Sequence, residues 1–243
     1  MRDWTGKRYW LIGASEGLGR ALAMKMSEAG AELVLSGRRQ EPLQALASEL
    51  PGNAQVQTVD VADQSSVDEA IKAIGEIDGL VFLAGVYWPM DAKEWDLDHG
   101  VAMADVNFTG QFRVLGQVVP AMVARGTGHI VLTASLSAFR GLPGAIGYSA
   151  SKAGILALAE SMRCDLRRTG VAVQVVNPGF IRTRLTEKND FNMPFLMEPE
   201  EAAAQMFAHM NSRAFKRSFP RLFSLVVRAS QLMPDWLYFR IFG

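Results

Sequence analysis

The sequence predicts a single α/β domain with a doubly wound parallel sheet, its helices laid on both faces in three layers. Three observations carry this expectation. Short, near-continuous apolar runs alternate with longer stretches whose apolar residues recur at spacings of three and four. The apolar runs lack the strict alternation of a sheet with one wet face, so both of their faces are covered. At 243 residues the chain suffices for one substantial core and is short for two full-sized domains.

The runs Arg8–Ile12, Glu32–Ser36, Gln55–Val59, Gly79–Leu83, His129–Thr133 and Val171–Val176 are the expected strands. Between and after them, Gly17–Ala29, Glu41–Leu50, Ser65–Ile74, Val106–Ala124, Gly147–Thr169 and Pro199–Met210 have the periodicity of amphipathic helices. A helix crossing from one strand to the next returns the chain to the same edge, so successive strands run parallel. In such a sheet the ligand sits beyond the carboxyl ends of the strands, and the residues following each strand become the candidates for function.

Two segments break the alternation. Residues 178–198 show no period and are too long for a simple connection, as expected of a substrate lid. From Ala214 to the end the chain turns basic and apolar: Lys216, Arg217, Arg221, Arg228 and Arg240, with Arg213 just before them, face only Asp235. This tail is expected to pack on its own domain or on a second subunit, or to lie on a membrane surface.

Composition narrows the function classes. Basic and acidic side chains balance at 25 each, so nothing global would hold the chain on nucleic acid. A single cysteine, Cys164, excludes an internal disulfide framework and fits a reducing compartment. No leader-like segment precedes Arg8, and no apolar run reaches the roughly twenty residues that span a bilayer. A cytoplasmic protein is expected, peripheral to the inner membrane surface if the tail binds lipid. His99, His129 and His209 are scattered without ligand spacing, so no metal site is expected.

The chemistry begins after the first strand. Gly13-Ala14-Ser15-Glu16-Gly17-Leu18-Gly19 leads into a helix, where glycines let the backbone approach a pyrophosphate and the helix N-terminus presents free N–H groups. The second strand ends in Arg38-Arg39; arginine there suits a 2′-phosphate, whereas an acidic residue would grip the free ribose of NAD. NADP(H) is therefore expected over NAD. Asp60 and Val61 follow the third strand, with Asp63 better placed to cap the next helix.

The strongest motif is Tyr148-Ser149-Ala150-Ser151-Lys152. Residues four apart share one helical face, so a phenol and an ammonium can address one small volume, and the cation would favour the phenolate. Ser135 precedes this tyrosine by thirteen residues, just past the fifth strand, with Ser137 as its alternative. Asn107 lies within a predicted helix, an unfavourable place for a buried asparagine without a role.

Together these residues resemble the short-chain dehydrogenase/reductase family, and the resemblance runs from Lys7 to about Met210. It implies a Rossmann-like domain in which Asn107, Ser135, Tyr148 and Lys152 form a catalytic tetrad. Tyr148 would exchange a proton with the substrate oxygen while hydride moves between the nicotinamide and carbon. Ser135 would hydrogen-bond that oxygen, Lys152 would hold the nicotinamide ribose, and Asn107 would connect a water to the lysine. Asp60 would meet the adenine, Ala84 and Gly85 would border the cofactor, Pro178, Gly179 and Ile181 would lie along the nicotinamide, and Thr183 would reach the carboxamide or the pyrophosphate.

Two positions depart from the family pattern. Ile12 stands where relatives have threonine, and Phe82-Leu83 where they have a pair of asparagines. Both changes replace polar by apolar side chains, and a mutual apolar contact is expected in place of hydrogen bonds.

The expected pocket walls are Tyr87, Trp88, Met90, Leu136, Phe139, Leu142, Phe180, Leu185, Phe191, Met193, Phe195 and Leu196, which suit an apolar alcohol or carbonyl. A ketoacyl-type reductase falls within that class. The competing expectation is an idle NADP(H)-binding sensor or a membrane-surface scaffold. By the same resemblance, the helices Val106–Ala124 and Gly147–Thr169 would form a homodimer or homotetramer.

Overall fold

The computed structural model describes residues 2–242. Its seven strands are β1 (Arg8–Ile12), β2 (Glu32–Ser36), β3 (Ala54–Val56), β4 (Gly79–Phe82), β5 (Gly128–Thr133), β6 (Val171–Pro178) and β7 (Lys216–Phe219). All pair in parallel, in the order β3-β2-β1-β4-β5-β6-β7. The helices are α1 (Gly17–Glu28), α2 (Gln40–Glu49), α3 (Gln64–Ile74), α4 (Leu97–Ala104), α5 (Gly110–Arg125), α6 (Ile146–Asp165), α7 (Pro199–Met210), α8 (Arg221–Ser230) and α9 (Asp235–Phe242). Strand order reverses between β1 and β4, which opens a crevice at their carboxyl ends.

Period two along the strands divides the core. Tyr9, Leu11, Leu33, Leu35, Val81 and Val131 point to one face and bury Leu22 and Met26 of α1, Leu43 and Leu46 of α2, and Met206 of α7. Their neighbours Trp10, Ile12, Val34, Leu80, Phe82 and Ile130 point to the other and bury Val67 of α3, Val114 of α5 and Ile155 of α6. Each such side chain contributes roughly 1.5–3 kcal/mol by leaving water. Ile12 and Phe82, the two departures noted in the sequence, stand side by side in register on β1 and β4, both fully buried.

At the amino-terminal end of the sheet a buried polar chain runs from the Tyr9 hydroxyl to His129 Nδ1 (2.9 Å) and from His129 Nε2 to Gln174 Oε1 (2.8 Å). Gln174 then donates to the carbonyls of His209, Ser212 and Ala214. Burial lowers the His129 pKa to about 3, so this imidazole is neutral and ties strands together.

The structure corrects the sequence expectations in three places. The predicted strand Gln55–Val59 leaves the ladder after Val56, although Gln57 and Val59 still donate to the carbonyls of Leu35 and Gly37. The helix expected over Val106–Ala124 opens as a π-helical turn, Asp105–Thr109, before continuing as α5, and an unanticipated helix, α4, leads into that turn. The basic tail opens with β7, which was not anticipated because Lys216-Arg217-Ser218-Phe219 has one apolar residue; an edge strand tolerates this since it pairs on one side only.

The rest of the tail folds back on the domain. Arg140 donates to the carbonyls of Ser230 and Met233, pairs with Asp235 (2.7 Å) and lies 3.8 Å from the Tyr238 ring centroid. The Tyr238 hydroxyl donates to Gly141 O at 2.6 Å. No helix among the described residues is long and apolar enough to cross a membrane.

Candidate active site

The glycine loop is built by close backbone approach. Gly13 (φ 95°) lies where an added Cβ would come 2.5 Å from the Ala84 nitrogen, and a Cβ on Gly19 would meet the Gly13 carbonyl at 2.0 Å. Any side chain at either position would push α1 away from β1 and β4. Gly17 takes a left-handed φ of 53° and faces Thr183 from the loop after β6. The first N–H groups of α1, which have no intrahelical partner, therefore open directly on the crevice.

Around that opening runs a cleft bordered by Gly13, Ser15, Glu16, Gly17, Leu18, Gly19, Arg38, Asp60, Val61, Ala84, Gly85, Tyr148, Lys152, Pro178, Gly179, Ile181 and Thr183. Every cofactor candidate from the sequence borders it except Arg39. That side chain is exposed and pairs with Glu16 at 3.4 Å, while Arg184 reaches Glu16 from the other side at 2.6 Å. Glu16 thus links the loops after β2 and β6 across the glycine turn. Asp60 spends one carboxylate oxygen on the Ala62 N–H (3.0 Å), and Asp63 caps α3 through the Ser65 N–H (2.9 Å).

The π-turn sets Asn107 at the back of the cleft, fully buried. Its Oδ1 accepts from the Val86 N–H at 2.7 Å, and its Nδ2 donates to Val86 O (3.0 Å) and Ser151 Oγ (3.1 Å). The wider turn moves this side chain out of helical register and onto the loop after β4. One residue along α6 from Ser151, Lys152 donates to Thr133 O at 2.9 Å and has no other hydrogen-bond partner among the described residues. An ammonium carries three donors, so two remain available toward the cleft. Burial lowers its pKa to about 8.

Tyr148 lies beneath the same cleft, its ring centroid 5.5 Å from Lys152 Nζ and 5.1 Å from the Tyr87 ring. Desolvation pushes its phenol up to about 12, against an opposing hydrogen bond from Ser135. The sequence suggested that the ammonium would lower this value; instead burial raises it, and the opposing influence comes from Ser135. Ser135 also caps a short turn, accepting the Ser137 N–H at 3.2 Å, while the Ser137 hydroxyl is buried with no partner among the described residues.

A second, apolar cavity adjoins the first. Tyr87, Ser135, Leu136, Ser137, Leu142, Ala145, Tyr148, Gly179, Phe180, Leu185, Thr186, Asn189, Phe223 and Val227 line it. Five of the expected wall residues are present: Tyr87, Leu136, Leu142, Phe180 and Leu185. Seven do not line it: Trp88, Met90, Phe139, Phe191, Met193, Phe195 and Leu196. Met90 is core, Trp88 stacks on His99 at 4.5 Å, and Phe191 and Phe195 stay half-exposed at the surface. Phe223 and Val227 come from α8 and were not among the expected walls; their spacing of four within an apolar run is the signal that could have marked them.

Residues 178–198 arch over this cavity. Ile181 bridges to Met197, Arg182 pairs with Glu198 (2.8 Å), and a short turn over Thr186–Lys188 caps the arch. Lys188 donates to Tyr87 O at 2.6 Å, and the Tyr87 hydroxyl donates to Asn189 Oδ1 at 3.0 Å, which holds the arch over the loop after β4. Among the described residues no cluster of three or more His, Cys, Asp or Glu could hold a metal ion.

A family model for short chain dehydrogenases matches residues 7–193. The chain is 38% identical over 245 residues to a protein of Myxococcus xanthus described as an uncharacterized oxidoreductase, covering 98% of this chain and 97% of that one. Among solved structures, it is similar to a short-chain dehydrogenase from Sphingobium yanoikuyae in complex with NADPH, with a TM-score of 0.82 and 25% identity over 94% of this chain and 96% of that one. It is also similar to a structure titled as a putative betaketoacyl-ACP reductase, with a TM-score of 0.77 and 28% identity over 86% and 91% of the two chains. With a parallel sheet, a glycine turn and a tyrosine–lysine helix in this arrangement, the chain belongs to the short-chain dehydrogenase/reductase family, and it is an oxidoreductase of that type.

Proposed function

We propose that this oxidoreductase reduces an apolar ketone or aldehyde, or oxidises the matching alcohol, with NADP(H), using Asn107, Ser135, Tyr148 and Lys152. The observation that carries the proposal is the position of Tyr148, which borders both the dinucleotide-sized cleft and the apolar cavity. A proton carrier at that junction reaches a substrate oxygen in one space while the hydride carrier lies in the other.

The residues fit a dinucleotide. The glycine turn has no room for a Cβ at Gly13 or Gly19, and Lys152 keeps two buried donors available for ribose hydroxyls. Arg38 borders the cleft in the loop after β2 and supports a 2′-phosphate. Bound there, the cofactor supplies or accepts the hydride.

This chain's residues do the rest. In the reducing direction the neutral phenol of Tyr148 is the proton donor, and its raised pKa keeps it protonated at neutral pH. The Ser135 hydroxyl, beside it in the cavity wall, hydrogen-bonds the oxygen as negative charge develops; the unpartnered Ser137 hydroxyl is a second donor to the same space. The Lys152 ammonium offsets the charge left on the phenolate. Asn107 fixes the loop after β4 against α6 and so holds the lysine in line. In oxidation the same groups act in reverse.

We place self-association on α5 and α6, the helices the family resemblance implies; Phe112 and Val123 of α5 keep large apolar side chains exposed. A panel of free and carrier-linked ketones, followed by NADPH absorbance, tests the reading. Tyr148→Phe should lower kcat by at least about a hundredfold while leaving NADPH affinity within about twofold. A wild-type preference for NADH would overturn the reading of Arg38, and turnover surviving in the phenylalanine variant would overturn that of Tyr148.

A further inference from the structure

The C-terminal helices have two apolar faces, and the fold uses only one. Phe223 and Val227 of α8 turn inward to wall the apolar cavity. On the opposite side Leu222, Leu225 and Val226 recur at helical spacing and remain 58–61% exposed, and Leu232 just beyond α8 prolongs the row. Trp236 and Phe239 of α9 are more exposed still, at 69% and 65%. Nothing among the described residues covers these side chains.

Charge says what does. Arg221 and Arg228, seven residues apart, share one flank of the α8 row, and Arg240 is exposed on α9. None of the three forms an ion pair among the described residues, and the single acid of this segment, Asp235, is held by Arg140. An apolar row flanked by arginines, with tryptophan and phenylalanine at its end, matches the headgroup boundary of an anionic bilayer. A second copy would bring arginine toward arginine across a two-fold axis, which is unfavourable. The two helices have ten and eight residues and therefore lie in the plane of the surface rather than crossing it.

A series of aromatic rings runs along the inward side of α8. Phe195, half-exposed, stacks on Phe223 at 5.8 Å between ring centroids, and Phe223 stacks on Phe180 at the same separation. Aromatic rings thus lead without a polar break from the surface beside α8 to the cavity wall. We propose that α8 and α9 dock on an anionic membrane and that the substrate is a lipid-soluble carbonyl or alcohol entering directly from the bilayer. The docking rests on the exposed face alone; the substrate class rests also on the oxidoreductase reading above.

The test is co-sedimentation of the full chain with phosphatidylcholine vesicles, with and without phosphatidylglycerol. Binding is expected to anionic vesicles and to weaken with salt. Leu225→Glu with Val226→Glu should reduce the vesicle partition coefficient by about tenfold or more. Arg221→Glu with Arg228→Glu, which leaves the apolar row intact and serves if the first variant misfolds, should abolish the preference for anionic lipid. With a long-chain ketone dissolved in the vesicles, kcat/KM should fall in both variants, while turnover of a short water-soluble ketone stays at the wild-type value.

No vesicle binding, equal binding to neutral and anionic vesicles, or variants that dissociate an oligomer instead would each overturn the docking. Binding by a protein that reduces neither ketone would leave the docking standing and overturn the oxidoreductase reading and the substrate class that depends on it.

Discussion

Replacing Lys152 by methionine should stabilise the protein while abolishing turnover. Lys152 is 4% exposed, its ammonium has one acceptor among the described residues, Thr133 O at 2.9 Å, and burial brings its pKa from 10.5 to about 8. At about 1.4 kcal/mol per pKa unit, the folded state at pH 7 carries about 3 kcal/mol of unfavourable charge burial. Methionine removes the charge, keeps the length, and gives up one hydrogen bond of about 1 kcal/mol, leaving a net gain of about 2 kcal/mol. Between pH 8 and 10.5 the unfolded chain binds a proton that the folded chain has released, so wild-type stability rises with pH and the gap between the two proteins closes.

Tyr148, raised to about 12, works oppositely. The folded chain keeps a proton that the unfolded chain loses above pH 10, so stability falls there, but equally in both proteins. Urea unfolding at pH 7 and pH 10, followed by tryptophan fluorescence, measures the difference. Added NADPH should stabilise the wild type more than the variant, because ribose hydroxyls would give the ammonium its missing acceptors. A variant less stable than wild type at pH 7, or a gap indifferent to pH, would refute the reasoning.

Two further substitutions probe the supporting structure. Asn107→Ala strands the Val86 N–H and Ser151 at a fully buried site and should cost about 3 kcal/mol, with Tm lower by roughly 6–12 °C by calorimetry; an unchanged Tm would deny Asn107 its bracing role. Gly19→Ala places a methyl 2.0 Å from the Gly13 carbonyl and should weaken NADPH binding by about tenfold or more in a fluorescence titration. Unaltered affinity would show that the turn relaxes without cost.

Strands and glycine turn were legible because local patterning and packing agree in them: Trp10 and Ile12 point one way, Tyr9 and Leu11 the other, and the fold obeys both. β7 was illegible because a polar edge strand is specified by its neighbour β6 and not by its own composition. Asn107 was legible as a residue, but not the π-turn that carries it, since one extra residue per turn leaves no trace in a 3.6-residue period. Arg38 and Arg39 look alike in sequence, and only the position of Glu16 separates the side chain that borders the cleft from the one that does not. The phenol's raised pKa was equally hidden, because spacing gives proximity to a cation and says nothing of how much water is excluded.

The clamp at Arg140 has a consequence for how such a protein diversifies. The proposed proton-transfer groups lie between Asn107 and Lys152, whereas two residues of the apolar cavity wall, Phe223 and Val227, arrive more than seventy residues later, on a segment bolted to the scaffold through one guanidinium and one tyrosine. Part of the cavity's shape is therefore inherited on a stretch of polypeptide separate from the one that carries the proposed chemistry. Exchanging the terminal helices among relatives that keep the bolt would recut the keyhole and leave the lock's mechanism untouched.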